Sequence, residues 1–289
     1  MDSEQSSCGL GGALSRSSVL VVAYGVKHID LNWVPPDVEV FVVHNDDNLS
    51  AAPVTHPCVR NLHPDRNVGF GAGMNLALAC VTSERVILCN PDTHLEAVHF
   101  EVLDDADPST IVAVPLVDER GTPNAVVNPY WSIPAFAATA WRLGRFAPKD
   151  SRRRQFFSRL LGTAGAAHLE ALTQTPSRWP LSERWVSGAV CSLPTAAMRA
   201  VGGFDEDYFL YFEDADLQQR LGRFDPALCV ELKDVRPGRH TVGGSASQAE
   251  RHTISRHRRR SARIYASRQV GIGWRVMEAL LSRNAHSRC

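Results

Sequence analysis

The chain has 289 residues, zero formal net charge and the composition of an ordinary globular protein, enough length for one large domain or two small ones around a substantial core. No apolar run reaches the roughly 18 residues that a bilayer crossing needs, which excludes a transmembrane span, and the N-terminus lacks the basic-then-apolar pattern of a secretory signal. The cysteines, Cys8, Cys58, Cys80, Cys89, Cys191, Cys229 and Cys289, are odd in number, scattered and never spaced CxxC, so reduced thiols, a cytoplasmic location and no zinc site are expected.

Residues 1–17 are rich in Ser and Gly and read as a disordered leader. Val19 to Tyr24 is a continuous apolar run of strand length, and Val38 to Val43, interrupted only by Glu39, is a second. A third, Val86 to Cys89, follows a helical stretch beginning near Gly73, and Ile111 to Val114 is a fourth. Runs with so little alternation predict strands buried on both faces. Strands and helices alternating at this spacing predict an α/β fold with a doubly wound, mostly parallel, Rossmann-like sheet, whose ligand lies beyond the carboxyl ends of the strands. That rule makes Tyr24-Gly25, His44-Asn45-Asp46-Asp47 and Asn90-Pro91-Asp92 the rim of one crevice.

Residues 130–180 mix Trp131, Phe136, Trp141, Phe146 and Phe156-Phe157 with Arg152-Arg153-Arg154 and show no clear strand. They read as a partly helical insertion, either an acceptor region or a plain surface excursion. The chain is expected to return at Trp185 to Val190. From Arg251 onward arginine is frequent and acids nearly vanish, giving a basic helical tail over 246–289. A helix packed on the core with its arginines in water and an anionic lipid partner both fit this tail, the first slightly better, and nucleic acid ranks last because no aromatics interleave the charges.

Three motifs carry chemistry. Asn67 to Asn75 is a glycine-rich loop opening a helix, suited either to phosphate or to close helix packing. It does not follow the first strand, so a nicotinamide cofactor is not supported. Asp92, at a strand end, suits a hard divalent cation bridged to diphosphate, although Asn-Pro-Asp is also an ordinary turn. Gly202 to Leu217 packs six carboxylates among Phe and Tyr rings. Either Glu213, Asp214 and Asp216 occupy the first turn of a helix, where the dipole favours them, or the tight Gly202-Gly203 turn delivers them to a cleft wall.

In order, these pieces resemble the inverting glycosyltransferases of family 2 with the GT-A fold, in their rhamnosyltransferase-like branch. The resemblance covers about residues 18–245. It rests on Val21 to Tyr24, Val43-His44-Asn45, the Asn67 to Asn75 loop, Leu88 to Asp92, Gly188-Ala189, and Gly202 to Glu206 followed by Tyr211 to Leu217. It implies transfer of a hexosyl group, rhamnose being one candidate, from a dTDP- or UDP-sugar to a hydroxyl of a glycan, lipid-linked or small-molecule acceptor, as in polysaccharide or cell-wall biosynthesis. The enzyme is then cytoplasmic, or peripheral on the inner face of the membrane.

The resemblance also assigns roles. Asp214 is the general base, supported by Glu213. Tyr24, Asn45, Asp46, Asn67, Gly69, Asn75 and Asp92 bind donor, whereas Trp185, Gly188 and Asp216 bind acceptor. Asp92 and His240 hold Mg²⁺ or Mn²⁺. Two donor-side positions depart from the pattern: His44 stands where an Asp is usual, so either Asp46 or Asp47 takes over its contact with the base or the nucleotide preference differs, and Gly25 replaces Asn. These departures motivate the alternative of a catalytically altered GT-A protein serving as a binding module, against which the retained Asp92, Glu213 and Asp214 argue.

Overall fold

A computed structural model describes residues 16–46, 52–130, 177–241 and 248–270. The apolar runs become strands β1 (Ser17–Ala23), β2 (Val40–His44), β4 (Arg85–Cys89) and β6 (Thr110–Ala113), all buried along their whole length. Their Val, Ile and Leu content suits a sheet covered on both faces. β3 (Val59–Leu62), β9 (Arg178–Pro180), β11 (Val190–Pro194) and β12 (Cys229–Leu232) complete an eight-stranded sheet in the order β3-β2-β1-β4-β11-β6-β12-β9. The pairs β1–β2, β1–β4, β2–β3 and β6–β12 are parallel. β11 enters between β4 and β6 antiparallel to both.

Two short pairings frame one end of this sheet. β8 (Val127–Pro129) pairs antiparallel with β10 (Arg184–Val186), while β13 (Gly238–His240) lies between β5 (Thr93–His94) and β7 (Leu116–Val117). The helices are α1 (Phe70–Cys80), α2 (Ala97–Asp104), α3 (Thr195–Ala200), α4 (Glu213–Phe224) and α5 (Gln248–Tyr265), the last continuing as a π-helical turn, Ala266–Val270.

Two expectations change. The returning segment is two strands separated by Ser187 to Ala189, and its second part, β11, is the antiparallel element that short, unalternating Val-Cys-Ser-Leu-Pro could not announce. Arg178 to Pro180, inside the span read as lacking a clear strand, forms an edge strand on β12. The aromatic and arginine clusters of that span, the leader up to residue 15, Asp47, residues 242–247 and the tail beyond residue 270 lie outside the described residues. The described part of the tail packs on the core as its favoured reading expects: Ala262, Tyr265 and Ala266 bury against Tyr208, Phe212 and Ala215, apolar positions three and four residues apart on one helix face.

Arg85 shows how the sheet is stapled. Its buried guanidinium donates to Ser192 Oγ, the carbonyl of Ser192, and the carbonyls of Asp107 and Thr110, tying β4 to β11 and β6. Burial, with Arg16 nearby, pulls its pKa down to about 10. It therefore stays cationic at neutral pH, its charge met by carbonyl dipoles.

Candidate active site

The carboxyl ends of β1, β2 and β4 meet as expected. Tyr24 stands exposed just past β1, and the amide of the following Gly25 donates to Asp46 Oδ1 at 2.7 Å, which joins the ends of β1 and β2. Asn45 is buried and clamps the glycine-rich loop: its Nδ2 donates to the Gly69 carbonyl at 3.0 Å, and its Oδ1 accepts from the Val68 amide at 2.9 Å. Asn67 Oδ1 accepts from the Gly69 amide at 3.0 Å, and the Phe70 amide donates to the Phe209 carbonyl at 3.0 Å.

The amides at 68, 69 and 70 are thus engaged inside the protein, so the loop does not cradle phosphate through them. Of the two meanings the glycines had, close packing prevails. Gly69 sits at φ 89°, and a Cβ there would lie 2.4 Å from the Phe209 carbonyl oxygen. Asn75 is engaged within the protein: its side-chain oxygen accepts from the Phe204 amide at 2.8 Å, and its Nδ2 donates to the Phe204 carbonyl at 2.9 Å and to Glu206 at 3.0 Å. At the departure on β2, buried His44 lies 2.7 Å from Asn61 Oδ1 and stacks on His63 at 4.8 Å.

The loop therefore packs against the acidic segment and fixes where it runs. Gly202 and Gly203 turn the chain in the left-handed region at φ 79° and 70°, held by the Asn75 clasp. Tyr211 and Phe212 follow at φ 70° and 73°, the only non-glycine residues of positive φ among those described, at a cost of roughly 1–2 kcal/mol each. Such strain persists only where surroundings over-determine it. Here Phe212 packs on Tyr265 at 5.4 Å between ring centroids, and the Arg258 guanidinium lies 5.7 Å over the Tyr211 ring.

The result is that α4 starts at Glu213, and the acids Glu213, Asp214 and Asp216 fill its first turn, as the helix reading expects. Asp214 is partly exposed, and its Oδ2 accepts from the Gly188 amide at 3.2 Å. Burial raises its pKa to about 6 against the lowering pull of the Gly188 and Ala215 amides. Glu213 is only 5% exposed, and its Oε2 has no hydrogen-bond partner among the described residues. Burial, then the Asp214 charge, lifts it to about 8. The two carboxyls titrate as a pair, Glu213 holding its proton to higher pH than Asp214.

A carboxyl whose pKa is raised on folding binds more protons folded than unfolded, so stability falls as pH climbs from the unfolded value through the folded one. For Glu213 that window runs from its ordinary 4.5 to about 8. Glu213→Gln should therefore unfold later than wild type at pH 8.5 and gain little at pH 5, as followed by thermal melts. A gain independent of pH would show that Glu213 does not carry the extra proton.

Asp216, expected to bind acceptor, is buried. It is 1% exposed, with Oδ2 on Arg220 Nε at 2.7 Å and Oδ1 accepting from Gln269 at 2.7 Å and the Tyr208 hydroxyl at 3.4 Å. Both oxygens are occupied within the protein, by Arg220 on α4 and by Tyr208 and Gln269, so the structure places this acid in a buried packing interface. Trp185, on β10, donates from Nε1 to the Pro129 carbonyl at 3.2 Å and packs beside Tyr208 and Phe212. Gly188 touches the site through its amide on Asp214.

Across the rim, β13 pairs with β5 and brings His240 Nε2 to 3.3 Å from Asp92 Oδ1 and from Asn90 Nδ2. The Thr241 amide donates to the Asp92 carbonyl at 3.2 Å. No cluster of three or more metal-binding side chains occurs among the described residues. One carboxylate oxygen and one imidazole nitrogen are the donor types that would suit Mg²⁺ or Mn²⁺ if further ligands came from outside the protein.

Sequence reasoning missed Gln218, which fixes the position of α4. It accepts from the Val186 amide at 2.9 Å and donates to its carbonyl at 2.7 Å, locking α4 to β10. A glutamine on an otherwise amphipathic helix carries no signal of that role. Arg268, which pairs with both Asp205 and Asp207, was missed for the same reason.

No family model matches the chain. A curated N-acetylglucosaminyl-diphospho-decaprenol L-rhamnosyltransferase of Mycobacterium tuberculosis is 25% identical over 261 residues, spanning 80% of this chain and 74% of the relative. S. aureus TarS 1-349 in complex with UDP-GlcNAc superposes with a TM-score of 0.47 at 14% identity, over 92% of this chain and 70% of that one. GalNAc-T7 with UDP, GalNAc and Mn2+ gives 0.46 at 11%, over 88% and 50%. The order of the motifs along the chain and the strand ends on which they lie agree with this similarity to a rhamnosyltransferase.

Proposed function

We propose that the protein moves a sugar, rhamnose in the first instance, from a nucleoside-diphosphate donor to a hydroxyl of a lipid-linked or other glycan acceptor, by single displacement with inversion. The observation that supports this most is Asp214: a partly exposed carboxylate, aimed by the Gly188 amide and raised to about 6, beside a buried acid that stays neutral. Such a group is ionised at neutral pH yet basic enough to accept a proton.

In this reading the acceptor hydroxyl lies against Asp214, which takes its proton as the oxygen attacks the anomeric carbon. Neutral Glu213 spares that carboxylate a second negative charge. Asp92 and His240 would hold a divalent cation, which supplies charge neutralisation for the leaving diphosphate. Tyr24 and Asp46, at the ends of β1 and β2, border the donor side. The mycobacterial relative supplies the acceptor class, a sugar on a polyprenyl diphosphate.

No described helix is long and apolar enough to cross a membrane. Contact with a bilayer would use the exposed face of α5, where Arg256, Arg259, Arg260 and Arg263 recur at spacings of three and four residues and repel one another unless an anionic surface is near.

The test incubates the full chain with dTDP-rhamnose, UDP-GlcNAc or a GDP-sugar, Mn²⁺ and an N-acetylglucosaminyl diphosphate carrying a short prenyl chain. Metal-dependent transfer with an inverted anomeric centre by NMR is expected. Donor binding without transfer to any acceptor would favour a binding module. In the same preparation, sedimentation with vesicles should require anionic lipid and weaken with salt; equal recovery with neutral vesicles would remove the bilayer contact.

A further inference from the structure

We infer that Arg258 receives a phosphate group of the acceptor, so that the enzyme selects acceptors whose sugar is carried on a phosphate or diphosphate ester. This rests on the glycosyl-transfer reading above and adds the acceptor's chemistry to it. α5 lies along the segment that carries the base. His257 stacks on Phe209 at 4.2 Å, Ser261 Oγ donates to the Leu210 carbonyl at 2.8 Å, and the Arg258 guanidinium covers the Tyr211 ring. Tyr211 is 41% exposed, and its backbone amide hydrogen-bonds the carboxyl of Glu213. Arg258 is thereby placed on the exposed ring of the residue two positions before Glu213 and three before Asp214.

The arginines around this segment divide into two kinds. Arg220 is engaged by Asp216, Arg268 by Asp205 and Asp207, and Arg223 by Gln269. Arg258 meets an aromatic face, with no carboxylate paired to it among the described residues. Arg256, Arg259 and Arg260 surround it with charge of the same sign, and after burial the charges of Arg256 and Arg260 are what depress His257. A guanidinium stacked on a ring keeps its N–H edge available, and that planar fork matches phosphate oxygens. The donor's diphosphate belongs at Asp92 and His240, across the rim, which leaves the Arg258 side to the other substrate.

Initial rates with the full chain, without vesicles, test this on two water-soluble acceptors: an N-acetylglucosaminyl diphosphate with a short alkyl chain and the matching uncharged alkyl N-acetylglucosaminide. Arg258→Ala should raise KM for the charged acceptor about tenfold or more, as expected for losing a charge-assisted contact. It should leave kcat, donor KM and the uncharged acceptor nearly unchanged; Arg258→Lys should recover part of the loss and Arg259→Ala should do little. An equal rise for both acceptors, or none, overturns the inference. Titration with an alkyl diphosphate in EDTA, where the metal site cannot contribute, gives a second readout: binding weakened by Arg258→Ala supports the assignment and unchanged binding refutes it. Should neither acceptor be glycosylated by wild type, the transfer reading fails, and the titration still decides the phosphate site.

Discussion

Asp214→Asn is expected to lower kcat by about two orders of magnitude or more, the usual worth of a positioned base, while donor affinity and the folded state persist. The amide is the same size and its oxygen can still accept from Gly188, so the start of α4 should not move. It cannot take a proton. In wild type, kcat/KM should rise through a limb near pH 6, where Asp214 ionises, and this limb should vanish with the base. Glu213→Gln should retain most of the rate at neutral pH, because the residue it replaces is already neutral there. Asp216→Asn should cost stability more than turnover, since it weakens a buried pair with Arg220. If Glu213→Gln proves the crippling change and Asp214→Asn a mild one, the two carboxyls have exchanged roles.

The sheet was legible because burial on both faces writes itself as uninterrupted Val, Ile and Leu, and the ends of those runs located Tyr24, Asn45 and Asp92 without any contact being known. What the runs cannot express is direction. β11 resembles its neighbours in composition yet runs against them, because direction is set by how the chain returns from the 130–180 excursion. The glycine-rich loop shows a second limit. Gly-x-Gly-x-Gly reports only that something approaches the backbone closely, and here that neighbour is the carbonyl of Phe209, a residue 140 positions away in sequence.

The acidic block was legible as a site and illegible in detail. Six carboxylates in a short stretch announced that charge was being used, but the same residue type serves three ends. Asp205 and Asp207 hold Arg268 and Glu206 joins the Asn75 clasp, Asp216 holds Arg220 and Gln269, and Glu213 and Asp214 remain. Of these partners, Arg268 and Gln269 come from a tail whose arginines looked uniformly solvated. The helical periodicity that places Ala262 and Tyr265 inward was present there, masked by the density of charge around it.

Asp92→Ala is expected to abolish metal-dependent donor binding, weakening the nucleoside diphosphate in calorimetric titration to the level seen for wild type in EDTA. Asp92 is the one carboxylate at the end of β4, and His240 is brought to it only by the pairing of β13 with β5. The two therefore act as a pair that folding assembles from opposite ends of the domain. An imidazole alone is a poor ligand for Mg²⁺ and a better one for Mn²⁺. His240→Ala should accordingly cost Mn²⁺-supported binding more than Mg²⁺-supported binding, whereas Asp92→Ala should remove both. Turnover in Asp92→Ala should fall with binding, and saturating donor should not restore it, because the diphosphate would leave without its counter-charge. Equal donor affinity in Asp92→Ala and wild type, with metal present, would take Asp92 out of the site and leave its contact with His240 as a simple tie between β5 and β13.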